Sequence, residues 1–91
     1  MEKPLFIPLK TQWFRQFESG YKTIEYRAYG PRWNERVCRP GREAIISHGY
    51  GKSERLRRRV TKFMKLRRED APKSAQQIFP AAEYIAGICL N

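Results

Sequence analysis

The chain has 91 residues, of which 41% are hydrophobic and 31% are charged, and its formal net charge is +10 at pH 7. This composition suits one domain over residues 1–91 with a small core, and its apolar content is too high for a disordered tail. No stretch approaches the ~20 apolar residues of a membrane-spanning helix. The N-terminal MEKPLFIPLK lacks the long apolar region of a secretory signal, so we expect a cytoplasmic protein with no membrane partner.

The N-terminal residues predict a strand followed by a helix. Residues 5–10, LFIPLK, are apolar enough for a first strand, in which Pro8 favours an edge or a bend. Thr11 is the predicted N-cap of a helix over TQWFRQFESG, and Gly20 is its predicted end. The apolar residues of this helix recur at helical spacing and are expected to pack in the core: Trp13, Phe14 and Phe17.

Two further strands are predicted around a loop. Residues 22–29 form the first of them. GPRWNER at 30–36 begins with a Gly-Pro breaker, so it is a loop or a single helical turn. The Pro-Gly pair at 40–41 predicts a tight turn. REAIISHG at 42–49 then predicts a buried strand, and GYGK at 49–52 predicts a second turn.

The segment 52–68, KSERLRRRVTKFMKLRR, carries most of the net charge. It has nine basic residues and one acidic residue, for +8, whereas the other 74 residues carry only +2. A concentrated basic segment on a nearly neutral body is typical of a surface that binds a polyanion. The alternative is a solvated segment that its charge keeps soluble.

Periodicity does not decide whether this basic segment is a strand or a helix. Two-residue alternation places four apolar residues on one strand face: Leu56, Val60, Met64 and Leu66. Helical spacing joins a different set: Leu56, Val60, Phe63 and Met64.

Next, a proline in the first turn predicts a short helix over 72–78, with Ala75 and Ile78 facing inward. EYIAGICL at 83–90 predicts a final strand.

The two cysteines do not indicate a disulfide or a metal site. Cys38 and Cys89 lack the CxxC spacing, and free thiols are expected in a reducing compartment. With one histidine in the chain, the usual ligands of a zinc site are too few. We therefore expect neither a metal nor a cofactor.

The pattern G-x-K-T-x-E-x-R spans the end of the predicted helix and the next strand. Its members are Gly20, Lys22, Thr23, Glu25 and Arg27. Together with the Pro-Gly turn and the apolar strand after it, this pattern resembles the ASCH domain family from about Leu5 to Leu90. The resemblance implies an α+β fold of the PUA-like superfamily, a small antiparallel β-barrel of five or six strands with two flanking helices. It also favours a strand for the basic segment.

The resemblance implies a cleft beside the barrel, lined by the K-T-x-E-x-R strand, and an association with RNA or modified nucleosides. One branch of small ASCH proteins consists of acetylcytidine amidohydrolases, whose catalytic set is a lysine, a threonine three residues later and a further glutamate. Lys22 matches the lysine, whereas Glu25 stands where the threonine would be. Glu69 and Asp70 lie in the region of the later acid. Lys22 and Glu25 are therefore the candidate catalytic residues.

Three charged residues in this strand are not explained by β propensity: Lys22, Glu25 and Arg27. A carboxylate accepts the amino or imino hydrogens of a base, and arginine holds a phosphate or carbonyl through two donors. The same residue types suit hydrolysis, with lysine as the base and the carboxylate as a proton relay. The third interpretation is structural, an ion pair that closes one end of the barrel. The sequence favours binding and leaves all three open.

Other candidates lie in and around the basic segment. Tyr50, between two glycines, and Trp33, in the loop at 30–36, either stack on a base or are ordinary loop aromatics. Ser47 and His48 are adjacent on a strand and point to opposite faces, so they do not suit a nucleophile–base pair. Phosphates are expected along the basic residues Lys52, Arg55, Arg57, Arg58, Arg59 and Lys62.

The leading hypothesis is a module that binds nucleic acid, either RNA or a modified nucleotide. In this hypothesis Lys22, Glu25 and Arg27 hold a base. An enzyme is the alternative, either a ribonuclease or a hydrolase that acts on a modified nucleoside. A third hypothesis is a protein-interaction factor of mobile-element origin, whose basic face meets an acidic protein partner.

Overall fold

The computed structural model describes residues 2–91 and contains five strands and two helices. In chain order the elements are β1 (Leu5–Leu9), α1 (Thr11–Glu18), β2 (Ile24–Ala28), β3 (Glu43–His48), β4 (Arg55–Arg67), α2 (Lys73–Ile78) and β5 (Tyr84–Leu90). A 3₁₀ turn at Arg68–Asp70 follows β4. The basic segment is therefore a strand and not a helix, and the predicted α+β architecture is confirmed.

The strands form one curled half-barrel sheet in the order β1-β3-β4-β5-β2. β1 pairs with β3 in parallel, and the other three ladders are antiparallel. β4 has 13 residues and belongs to both halves of the sheet, because its first part pairs with β3 and its second part with β5. β1 and β2 are the two edges, so Pro8 lies on an edge strand as its residue type predicted.

A β-bulge interrupts β4 between Val60 and Lys62. Val60 faces the main core before the bulge, and Phe63 packs against that core after it. Leu66 lies on the opposite face, in a second apolar cluster. The single apolar face predicted for this strand is therefore wrong, because the extra residue shifts the alternation by one. That prediction grouped Leu56, Val60, Met64 and Leu66.

The main core lies between α1 and the inner face of the sheet. Phe14 and Phe17 of α1 are fully buried, in one cluster with Ile7, Ile46 and Ile88 from three different strands. The core packing predicted for the helix aromatics is thus confirmed for these two rings. The third aromatic of the helix is only partly buried at the margin of the cluster.

A second, smaller core lies on the outer face of the sheet, beneath α2. Ala71 and Ala75 are buried there with Ile85. Ala75 faces inward as predicted, whereas the Ile78 side chain is 54% exposed. The prediction for Ile78 is wrong because α2 ends at this residue, and its side chain lines a surface cleft instead.

The start of α1 is not capped by the side chain of Thr11. The helix begins at Thr11 itself, with Lys10 in the N-cap position and no side-chain cap bond. The Thr11 hydroxyl lies 2.7 Å from Nε2 of His48, the last residue of β3. The predicted cap is therefore wrong, and this hydroxyl instead ties the helix to the sheet. At the other end, Gly20 takes the left-handed conformation expected after a helix, with φ of +82°.

Candidate nucleic-acid interface

A cleft of about 460 Å³ opens between α2, the start of α1 and strand β2. This volume lies in the range of small-ligand sites. Trp13, Tyr26 and Phe79 contribute aromatic rings to its lining. The cleft also brings together the three charged residues of the G-x-K-T-x-E-x-R pattern: Lys22, Glu25 and Arg27.

Glu25 is the centre of an ion-pair network in this cleft. Lys22 Nζ lies 3.1 Å from Glu25 Oε1, and Arg27 Nε lies 2.8 Å from Glu25 Oε2. The Glu25 side chain is 7% exposed, and those of Lys22 and Arg27 are each 21% exposed. Because each carboxylate oxygen accepts a charged donor, the buried negative charge is compensated. An ion pair, which was the structural interpretation of these three charged residues, is therefore present.

The strand register explains why these side chains face inward. Glu25 pairs with Ile88 and Arg27 pairs with Ala86 on β5, so both charged residues lie on the inner face of β2. Lys22 precedes the strand, and its backbone N–H donates to a carbonyl of α1 at 3.0 Å. The junction between α1 and β2 therefore directs the Lys22 side chain towards Glu25.

Arg27 joins the two edges of the half-barrel. Its Nη2 donates to the carbonyl oxygen of Pro8 on β1, at 2.8 Å. Within residues 2–91 no ladder runs between β1 and β2, so this side chain bridges the open gap of the sheet. The same guanidinium lies 4.8 Å from the centre of the Trp33 ring, which is therefore engaged by the protein itself. Arg27 Nη1 has no protein acceptor among the described residues.

Lys22 lies between the carboxylate and the aromatic lining of the cleft. Its Nζ is 4.7 Å from the centre of the Trp13 ring and 5.6 Å from that of Phe17, within cation–π range. The sequence pattern indicated core packing for Trp13 and gave no signal for Tyr26 or Phe79 as site residues. One signal for Trp13 was available: it lies next to Phe14, at the margin of the apolar face of α1, where a side chain is only partly buried.

The outer face of β4 presents a row of exposed cations. Alternate residues of a strand share a face and lie about 7 Å apart, which places Arg55, Arg57 and Arg59 in one row. Lys62 continues the row beyond the bulge. Arg57 is 3.0 Å from Glu43, in a pair whose side chains are 69% and 41% exposed. This side of the sheet is therefore basic and open to solvent.

Arg58 does not belong to this row. It is half-buried on the inner face, where its Nη1 donates to the carbonyl of Arg57 at 2.8 Å and its Nη2 to that of Phe17 at 3.5 Å. Tyr50 and Lys52 lie in the exposed turn between β3 and β4, beside the row. The structure therefore separates the candidate residues into the cleft, the outer row with its turn, and Arg58.

His48 belongs to a second polar network, which the sequence did not suggest. Its Nε2 meets the Thr11 hydroxyl, and its Nδ1 lies 2.9 Å from Glu54 Oε1. Arg15 donates to both oxygens of Glu54, at 2.7 and 3.1 Å. Hydrogen bonds from Arg15 first, and then from His48, lower the pKa of the Glu54 carboxyl to about 2. Ser47 is buried, and its hydroxyl donates to a carbonyl of the following turn.

The remaining candidates lie away from the cleft. Glu69 and Asp70 are exposed in the 3₁₀ turn, and neither lines the cleft. Cys38 and Cys89 are free thiols, and burial raises the pKa of Cys38. Among residues 2–91, no three His, Cys, Asp or Glu side chains are grouped to hold a metal ion. None of the helices in that part of the chain has the length and apolar character to cross a membrane.

The fold has a counterpart among solved structures. It is similar to the crystal structure of a mutant of ZmASCH from Zymomonas mobilis, with a TM-score of 0.76 and 16% sequence identity. The similarity covers 99% of this chain and 70% of that chain. The chain has an ASCH-like fold.

The fold that the G-x-K-T-x-E-x-R pattern implied is thereby confirmed. No protein-family model and no curated protein matches the sequence. Since one fold hosts many activities, the function has to be argued from the cleft and the basic row.

Proposed function

We propose that the chain binds RNA, with one base in the cleft and backbone phosphates along the outer row of β4. The observation that carries this proposal is the charged network of Glu25 inside a cleft lined by aromatic rings. Trp13 and Tyr26 offer stacking surfaces, which every base can use. The charged network supplies the hydrogen bonds that would fix the orientation of that base.

The chemistry of the network suits the edge of a base. Each Glu25 oxygen uses one lone pair on a cation and keeps a second for an amino or imino hydrogen. Arg27 Nη1 can donate to a base carbonyl or a phosphate. Because Glu25 and Pro8 both hold the guanidinium, its orientation is fixed before the ligand arrives.

The outer row lies within reach of an RNA strand whose base occupies the cleft. Pro8 lines the cleft and pairs with Ser47 on β3, which in turn pairs with Arg55 on β4. Two inter-strand spacings, about 10 Å, therefore separate the cleft wall from the row. The net charge of +8 in the segment 52–68 provides the attraction to phosphates.

The cleft is tested best at a residue outside the network. Ile78 is exposed on the cleft wall, so Ile78→Trp should obstruct the cleft and Ile78→Ala should not, with little change in stability for either variant. We expect Ile78→Trp to weaken binding of a short RNA about tenfold, in line with the loss of one stacked base. Fluorescence anisotropy would measure this difference. Equal affinities for both variants and the wild type would rule out a base in the cleft.

A long incubation with the same RNA separates binding from catalysis. Lys22 and Glu25, the candidate catalytic residues, are engaged with each other, and neither Glu69 nor Asp70 joins them in the cleft. We therefore expect the RNA to keep its mass during a long incubation. A product that forms with the wild type and disappears with Lys22→Ala would replace this proposal with a hydrolase.

A further inference from the structure

Two aromatic rings lie exposed on the outer face of the sheet, away from both apolar clusters. Phe6 of β1 is 37% exposed, and Tyr50 in the turn after β3 is 82% exposed. Their ring centres are 6.1 Å apart, with the planes inclined at 43°. Together they form a small aromatic surface, the Phe6–Tyr50 pair, on a face that has no helix over it.

Core packing does not require the aromatic ring of Phe6. Its neighbours Leu5 and Ile7 fill the main core, so Phe6 points outward by strand alternation. Any residue of good strand propensity would serve at an outward position of an edge strand. Tyr50 contributes no contact to either apolar cluster among the described residues. Adjacent exposed rings form a contiguous apolar patch, and apolar patches rimmed by polar residues are a feature of interaction sites.

The surroundings of the pair select the chemistry of its partner. The Arg55 guanidinium lies 5.3 Å from the centre of the Phe6 ring, and Lys52 is exposed two residues after Tyr50. Arg57 follows Arg55 on the same face. Aromatic faces bordered by cations suit bases attached to phosphates, whereas an acidic protein segment would use the cations and leave the rings without a stacking partner.

We propose that the Phe6–Tyr50 pair is a stacking platform for an unpaired base, so that the ligand is single-stranded RNA. This inference rests on the proposed function and adds a second base site to it. In a duplex the faces of the bases are covered by their neighbours, whereas in a single strand they are free to stack on a protein ring.

The platform is continuous with the cleft along β1. Phe6 and Pro8 share the outer face of that strand, about 7 Å apart, and Pro8 is part of the cleft wall. An RNA strand with one base in the cleft can therefore place a nearby base on the Phe6–Tyr50 pair. The outer row then lies beside the RNA backbone that connects these two bases.

Tyr50 allows a matched test, because it is exposed and its replacement should leave the fold intact. Tyr50→Phe keeps the ring, and Tyr50→Leu keeps apolar area without a π face. We expect Tyr50→Leu to weaken binding of a single-stranded RNA octamer about tenfold and Tyr50→Phe to bind like the wild type. A 2-aminopurine in the octamer should be quenched on binding to the wild type and less so with Tyr50→Leu. A blunt RNA duplex of equal charge should bind more weakly than the octamer.

The outcomes distinguish this inference from the proposed function. If Tyr50→Leu and the wild type bind the octamer equally while Ile78→Trp binds it weakly, the platform is wrong and the cleft stands. If Tyr50→Leu weakens binding while Ile78→Trp does not, the platform stands and the cleft proposal is wrong. Equal affinity for the duplex and the octamer would overturn the assignment of the ligand as single-stranded.

Discussion

The cleft and the outer face of β4 use the same kinds of charged residue in opposite environments. In the cleft, Glu25 is nearly buried and both of its oxygens are engaged. On the outer face, Arg57 and Glu43 form a pair that is largely open to water. Charges of the first kind hold the two edges of the sheet together, whereas charges of the second kind are screened and contribute little to folding. Substitutions on the outer face can therefore test the proposed ligand contacts with little change in stability, whereas substitutions in the cleft change the stability as well.

Removal of the buried carboxylate should give the largest effect. Glu25→Ala leaves Lys22 and Arg27 without their counter-ion, and we expect a loss of about 3 kcal/mol in the free energy of unfolding. This value is at the low end for a buried pair, because both cations remain 21% exposed. The matched control on the outer face is Glu43→Ala, with an expected loss of about 0–1 kcal/mol. Urea unfolding would measure both, and similar losses would remove the distinction between the two regions.

A smaller loss is expected when Arg27 keeps its charge but loses its planar fork. Lysine presents one donor nitrogen where arginine presents Nε to Glu25 and Nη2 to the Pro8 carbonyl, so we expect Arg27→Lys to lose about 1–3 kcal/mol of unfolding free energy. Hydrogen exchange should rise at β1 and β2 more than at β3, because only the edge strands lose a contact. Uniform exchange over all five strands would show that the bridge does not hold the edges.

Glu54 sharpens the comparison, because it has two partners and yet lies at the surface. Its folded pKa is lowered from 4.5 to about 2, so its contribution is present above pH 4.5 and is lost as the pH falls towards 2. We expect the melting temperature of Glu54→Gln to be below that of the wild type at pH 7, by less than for Glu25→Gln. The difference should vanish near pH 2. A difference that stays constant from pH 7 to pH 2 would contradict this linkage.

The smallest effect on stability is expected for the outer row. Replacing Arg57 and Arg59 by Ala together should leave the unfolding free energy nearly unchanged. The log–log salt slope of RNA binding should become shallower by about 0.7 for each phosphate contact removed. Arg32→Ala with Arg36→Ala removes the same charge from the exposed loop after β2 and is the control. Equal slopes for both double variants would mean that the row does not contact phosphates.

The sequence pattern predicted the fold well, because G-x-K-T-x-E-x-R and the turn signals are local. It also picked out Lys22, Glu25 and Arg27, but it could not tell whether they pair with each other or wait for a ligand. That answer depends on β5 and β1, which are far away in the chain and place Ile88 and Pro8 beside them. Long-range contacts of this kind leave no signal in local spacing.

The predictions that the structure contradicts have a similar physical origin. The exposure of Ile78 follows from where α2 stops relative to the cleft, and the role of Thr11 follows from His48, 37 residues later. Alternation separated Arg58 from Arg57 and Arg59 in principle, but the expected phosphate contacts included all three. Composition was informative about charge and uninformative about which side of the sheet would carry it.

The bulge in β4 also determines the size of the basic footprint. In an uninterrupted strand the outer row would run on from Arg59 to Lys65 and Arg67, with Phe63 exposed between them. The added residue places Lys65 on the other face of the strand, where it stays exposed and its Nζ lies 4.4 and 4.5 Å from the centres of the Tyr29 and Tyr84 rings. One extra residue thus packs the Phe63 ring against the main core and ends the outer row at Lys62, so the row is shorter than the strand that carries it.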